Sequence, residues 1–165
     1  MSVGCFLAGI GALVWSPERE AYLLVQRSGA KDFAPGAWEC VTGRVDQGEG
    51  FEEALHREVR EELGVAVAID FLLGTTHFYR GAPVAANELL GVVYHCTLLT
   101  ADPIRLSAEH EALRWVTPEE APALLRDEHP SEAWLKRLLV RAAWMRAELP
   151  AALVARTRAE GAELG

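Results

Sequence analysis

Cysteine is scarce in this chain, and what there is does not pair. Three occur among 165 residues, Cys5, Cys40 and Cys96. The number is odd and no two have metal-ligand spacing. Neither a disulfide framework nor a zinc site is expected, and a reduced, cytoplasmic compartment is the simpler reading. Long apolar runs are lacking too, and nothing approaches the roughly 20 residues of a membrane-spanning helix. The apolar stretch 3–15 has no basic segment ahead of it, is broken by Gly9 and Gly11, and meets Glu18 and Glu20 soon after. It reads as a buried strand, with a secretion signal as the alternative. Internal repeats and low-complexity linkers are absent, so one domain over 1–165 is expected. Basic charge is in deficit: 16 Lys and Arg stand against 24 Asp and Glu, a formal net charge of −8. Such a chain has no basic face for a nucleic-acid backbone or an anionic membrane. A small anionic substrate stays open, provided metal ions and a few arginines offset the local charge.

What is present is ordinary globular material: half the residues are hydrophobic and 24% are charged. The runs 3–15 and 21–26, separated by a polar turn with Pro17, predict a hairpin. Residues 28–37 hold Gly29, Pro35 and Gly36 and read as a loop. A short strand over 38–45 runs into a turn. Phe51, Leu55, Val59 and Leu63 recur every four residues and predict a helix over 51–63, with Gly64 as its C-terminal cap. Residues 65–79, 89–99 and 114–116 are β-rich. Thr117, Pro118 and Glu120 carry the signature of a helix start. Residues 131–148 predict a long helix stopped by Pro150, after which a frayed helix or a flexible tail is expected. Strands and helices alternate irregularly, so the class is α/β or α+β.

The informative segment runs Gly43-Arg44-Val45-Asp46-Gln47-Gly48-Glu49, then seven residues, then Arg57-Glu58-Val59-Arg60-Glu61-Glu62-Leu63-Gly64-Val65. Glu58, Glu61 and Glu62 stand at i, i+3 and i+4 and so share one helix face. Like charges kept together in this way suit a hard divalent cation such as Mg²⁺ or Mn²⁺. A solvated acidic face is the plainer alternative for a lone Glu-x-x-Glu-Glu.

The full spacing resembles the Nudix box, G-x5-E-x7-R-E-U-x-E-E-x-G-U with U aliphatic, at every fixed position. A chance match in a chain of this composition is on the order of one in a million. The likeness extends over roughly residues 3–140, through Leu23 to Arg27, Trp38, and Leu106 to His110 with Arg114 to Val116. It implies a mixed sheet between helices, an α/β/α sandwich, with the box forming a loop–helix–loop. Where the family often has Pro-Gly-Gly, this chain has Val41-Thr42-Gly43.

The resemblance implies a hydrolase of phosphoanhydride bonds. Glu58, Glu61, Glu62 and the Gly43 carbonyl would hold Mg²⁺ or Mn²⁺, which neutralises phosphate charge and activates water. Arg57 and Glu49 would brace the loop. The general base is open between a box glutamate, Glu109 and Glu111, with Glu109 favoured and His110 orienting its loop. Arg27 and Arg44 would hold phosphate, against the alternative of solvated arginines. Trp38 and Trp115 are expected in the core, and packing is favoured over base stacking for Phe78 and Tyr79. His56, His77, His95 and His129 have no metal-ligand spacing. The substrate reading is a nucleoside or pterin triphosphate giving a monophosphate and pyrophosphate. The alternatives are a dinucleoside polyphosphate such as diadenosine tetraphosphate, and a non-catalytic ligand-binding module. A monomer or homodimer is expected.

Overall fold

The computed structural model describes residues 4–99 and 103–164; Val3, at the head of the first apolar run, lies outside them. That run becomes β1 (Leu7–Ser16), and a tight turn returns it as β2 (Ala21–Arg27), antiparallel, with Val14 opposite Leu23. β3 (Trp38–Glu39), β4 (Val41–Arg44), β5 (Val67–Tyr79), β6 (Glu88–Leu98) and β7 (His110–Val116) complete one seven-stranded sheet. Its path is β3-β2-β1-β6-β5, with β4 on β1 and β7 on β2. The β1–β6 pairing is parallel and the others antiparallel, so the sheet is mixed.

β1 is apolar on both faces because both faces are covered. Ile10, Ala12 and Val14 join one core with Leu55, Val59 and Leu63 of α1 (Phe51–Leu63). Leu13 and Trp15 join a second core with Leu135, Leu138 and Leu139 of a long helix on the opposite face. Two helices flank that second core, the short α2 (Ala121–Leu124) and the long α3 (Pro130–Glu148). The class is α+β, a mixed sheet with four helices.

Local signals set most boundaries. α1 has its predicted limits, and Gly64 ends it in the left-handed conformation (φ 68°) with its amide on Arg60 O. The Thr117–Glu120 exchange forms as its pattern requires: Thr117 Oγ1 accepts from Glu120 N at 3.3 Å and Glu120 Oε2 from Thr117 N at 3.0 Å. It closes a turn, however, and helix begins only at Ala121. β7 is longer than residues 114–116, because pairing with β2 extends it back to His110 opposite Arg27. After Pro150 the chain forms a further helix, α4 (Ala151–Glu160), against β5.

Candidate active site

β4 leads into the turn before α1, and at this junction strand and helix nearly touch. Gly43, opposite Ile10 on β1, lies under Glu58. A Cβ on Gly43 would come within 2.1 to 2.3 Å of the Glu58 carboxyl group and Cγ, so any side chain there would have to displace Glu58. Of the three box glutamates, Glu58 and Glu62 turn inward, with side-chain exposures of 15% and 6%, while Glu61 turns outward at 59%. Glu62 Oε2 is buried without a hydrogen-bond partner. Burial, with the charges of Glu39, Glu58 and Glu109, pushes the Glu62 carboxyl up to about 9. Burial raises Glu58 as well, and Arg57 pulls it part of the way back.

Arg57 is the hub of the loop. It grips both oxygens of Glu49 at 2.7 and 2.8 Å, reaches Glu58 at 2.8 Å and Glu61 at 3.4 Å, and donates to the Arg44 carbonyl at 2.9 Å. The hydrogen bonds from Arg57 hold Glu49 near pKa 2. The repulsion expected among the box glutamates is thus relieved partly by Arg57. Among the described residues, no three His, Cys, Asp or Glu side chains close into a ready cage.

Behind Glu62 stands a buried polar group. Glu39 takes two hydrogen bonds from Arg27 Nη1, at 2.9 and 3.0 Å, one from Thr42 Oγ1 at 3.3 Å, and lies 3.1 Å from His110 Nε2. His110 Nε2 is in turn 3.9 Å from Glu62 Oε2. Glu109, on the exposed side of the same loop, pairs with Lys31 at 2.5 Å. The Lys31 hydrogen bond lowers its pKa, and its charge is felt at both Glu58 and Glu62.

On the other side of Arg44 opens a cavity of about 290 Å³ lined by Leu7, Asp32, Phe33, Arg44, Arg80 and Asn87, among others. Phe33 stacks on Phe78, with ring centroids 6.1 Å apart, and the Arg80 guanidinium lies 6.0 Å from the Phe33 ring. Burial, followed by the nearby charges of Arg44 and Arg27, lowers the pKa of Arg80. The small recess thus carries two arginines, one aspartate and the Phe33 ring, and Arg44 is tied through its carbonyl to Arg57 of α1.

A family model for the NUDIX domain matches residues 6–138. The chain belongs to the Nudix hydrolase family. Nucleoside triphosphatase NudI of Escherichia coli O81 (strain ED1a) is 29% identical over 107 residues, which cover 61% of this chain and 75% of that protein. A MutT protein from Methanosarcina mazei Go1 shares the fold with a TM-score of 0.71 at 22% identity, over 90% of this chain and 100% of its own. A C. elegans Ap4A hydrolase does so with a TM-score of 0.67 at 22% identity, over 87% and 99%.

Within this Nudix frame, the structure brings Gly43, Glu49, Arg57, Glu58 and Glu62 together and leaves Glu61 at the rim. Arg44 lines the recess. Arg27 does not reach it as a free cation: it shares a strand face with Val25, whose partner on β3 is Glu39, and it holds Glu39 and, at 2.9 Å, the Phe33 carbonyl. Glu111 is bound to the Gly29 amide at 3.3 Å. Sequence reasoning passed over Glu39, Phe33 and Arg80. Glu39 carried one usable signal, a charged residue beside Trp38 in an otherwise apolar strand.

A divalent metal is the group this family implies, and the donor set fits one. Glu62 offers a buried oxygen with no other partner, Glu58 a second carboxylate one turn away, and Gly43 leaves the strand backbone bare beneath them.

Proposed function

We propose that this chain hydrolyses the phosphoanhydride of a nucleoside triphosphate, between the α and β phosphates, releasing a monophosphate and pyrophosphate. Mg²⁺ or Mn²⁺ would be held by Glu58, Glu61, Glu62 and the Gly43 carbonyl. When bound, such an ion neutralises charge on phosphate oxygens and makes water a better nucleophile. Arg57 keeps Glu58 and the loop carboxylate Glu49 in place. Glu109, ionised at neutral pH beside Lys31, is the candidate to take the water proton. Arg44 and Arg80 supply fixed positive charge for the phosphates, and Phe33, backed by Phe78, supplies an apolar ring for a base.

The observation that carries this reading is the recess of about 290 Å³ beside the Glu58 face, at the small end for ligand sites. It suits one base, and Phe33 is the one aromatic side chain lining it among the described residues. The nucleoside triphosphatase relative points the same way. The test is incubation with Mg²⁺ and a panel of nucleoside triphosphates, dihydroneopterin triphosphate and diadenosine tetraphosphate, with products resolved by mass. Monophosphate plus pyrophosphate from nucleoside triphosphates supports the proposal. Turnover of the pterin or tetraphosphate alone replaces the substrate, and ligand binding without turnover of any compound replaces the activity by a binding role.

A further inference from the structure

A carboxylate from the far end of the chain sits on the N-terminus of α1. That helix starts at Gly50, whose lack of a side chain leaves its first amides without a local cap. Phe51 N donates to Glu163 Oε1 at 3.1 Å and Glu52 N to Glu163 Oε2 at 3.2 Å. Glu52 returns the exchange: its Oε1 accepts from Glu163 N at 2.9 Å and also from Ala162 N. The pattern is that of a capping box, but its halves are separated by 111 residues. Two glycines permit the approach. A Cβ on Gly50 would stand 2.6 Å from Glu163 Oε2, and one on Gly161, at φ 81°, would stand 2.9 Å from Glu52 Oε2.

The segment carrying Glu163 is anchored independently. Arg158 of α4 reaches Asp70 Oδ1 at 2.6 Å and Thr97 Oγ1 at 3.0 Å. Asp70 sits at the β5 bulge between Ile69 and Phe71, and its other oxygen is held by His95 at 2.8 Å and Thr97 at 2.7 Å. Val154 packs on the second core, whereas α1 belongs to the first, so residues 151–164 bridge the two sides of the sheet. The segment 151–164 itself lies beyond residues 6–138, the part that matches the Nudix domain, while its partners Phe51, Glu52, Asp70 and Thr97 lie within it.

We propose that residues 151–164 form a strap that positions the metal-binding helix, with Glu163 as its positioning residue. The inference rests on the reading of α1 as the metal-binding helix. An anion at a helix N-terminus satisfies free amides and opposes the positive end of the helix dipole. Here it does so at the joint between the Glu49 loop and the helix. The Glu49–Arg57 bonds span that joint, and Arg57 also holds Glu58. Fraying of the first turn therefore passes through Arg57 to Glu58.

The test uses the full chain with Glu163→Ala and Glu163→Gln. Amide hydrogen exchange is followed by NMR without metal, Mn²⁺ binding by electron paramagnetic resonance, and turnover by separate kcat and KM. In Glu163→Ala, exchange at Phe51 and Glu52 should quicken about five- to tenfold while Val59 and Leu63 keep their protection. Mn²⁺ affinity should fall about three- to tenfold, and kcat should fall with KM within about twofold of wild type. Glu163→Gln, which keeps one carbonyl oxygen, should lie between. Unchanged exchange at Phe51 and Glu52 overturns the cap. Faster exchange with wild-type Mn²⁺ affinity and kcat overturns the positioning role. Glu62→Gln serves as the control for the metal reading: if it binds Mn²⁺ as wild type does, that reading fails, while the metal-free exchange result still decides the cap.

Discussion

Gly43 and Glu58 leave no space between them: a Cβ on Gly43 would stand 2.3 Å from Glu58 Oε1. Gly43→Ala must push Glu58 aside or part β4 from β1. Activity should fall by about 10²-fold or more, because an ångström-scale displacement of a reacting group costs that much. Circular dichroism should still show a folded protein. A wild-type kcat/KM in this variant would show that Glu58 does not work from this position.

Glu62 links its proposed metal role to stability. Its carboxyl is raised from 4.5 to about 9 by burial and by the neighbouring glutamates. Without metal, the folded chain keeps a proton there that the unfolded chain releases once pH exceeds the ordinary carboxylate value. Stability of the metal-free protein should therefore fall as pH rises from about 4.5 towards 9. Glu62→Gln removes that slope. Urea unfolding in a chelator should find the variant more stable than wild type at about pH 8 and similar at about pH 4, with activity lowered about 10²- to 10⁴-fold. A variant as active as wild type at saturating Mg²⁺ ends the assignment of Glu62 to the metal.

The proton-accepting role proposed for Glu109 is separable from its salt bridge. Lys31 lowers the Glu109 pKa through a hydrogen bond. Lys31→Met should raise that pKa and move the acid limb of the kcat profile to higher pH. Glu109→Gln should lower the single-turnover rate about 10²-fold while Mn²⁺ affinity stays close to wild type. An acid limb that stays in place, with an unchanged rate in Glu109→Gln, assigns the proton to another carboxylate; the same measurements on Glu111→Gln then include or exclude that residue.

Phe33 stacks on Phe78 and lies beneath Arg80 at the mouth of the recess. Loss of an aromatic stacking partner costs about 1–3 kcal/mol per base, so Phe33→Ala should raise KM about 5- to 150-fold and change kcat less. Steady-state kinetics on a nucleoside triphosphate checks this, and an unchanged KM removes Phe33 from the binding wall.

Glu132 ties α3 to the sheet. Burial opposes its charge, but the Arg126 side chain and the amides of Arg126 and Trp38 outweigh burial and hold the carboxyl at about 2. A depressed carboxylate contributes stability above its ordinary pKa and loses it as pH falls towards about 2. Glu132→Ala should cost about 1–3 kcal/mol at neutral pH, since it strands the half-buried Trp38 amide. The deficit against wild type should shrink in acid, and denaturant titrations at several pH values would show it. A constant deficit from neutral pH to about pH 2.5 would mean that packing, not charge, accounts for the loss.

Some of this was legible in the residues. The four-residue stripe from Phe51 to Leu63 and the glycine after it mark out α1 because helical contacts repeat every three to four positions. The continuous apolar character of β1 announces a strand covered on both faces. The box spacing places Glu49, Arg57, Glu58 and Glu62 in one segment, and they meet within a loop and two helical turns. The helix start at Thr117 was legible as a cap but not as to length, because no apolar stripe long enough to be buried follows it.

What the sequence determined alone is therefore what depends on near neighbours: the α1 face, its C-terminal cap, the buried central strands, and a box spacing that resembles the family's. Tertiary structure decided which groups from distant segments meet. The pairing of β2 with β3 set Arg27 onto Glu39. A loop and a strand end brought Phe33, Phe78 and Arg80 together. The C-terminal strap delivered Glu163 to a helix start that has no cap of its own. Local periodicity carries no information on such meetings, because each depends on where the sheet register, its bulges and two glycine-permitted approaches bring remote backbone into hydrogen-bonding distance.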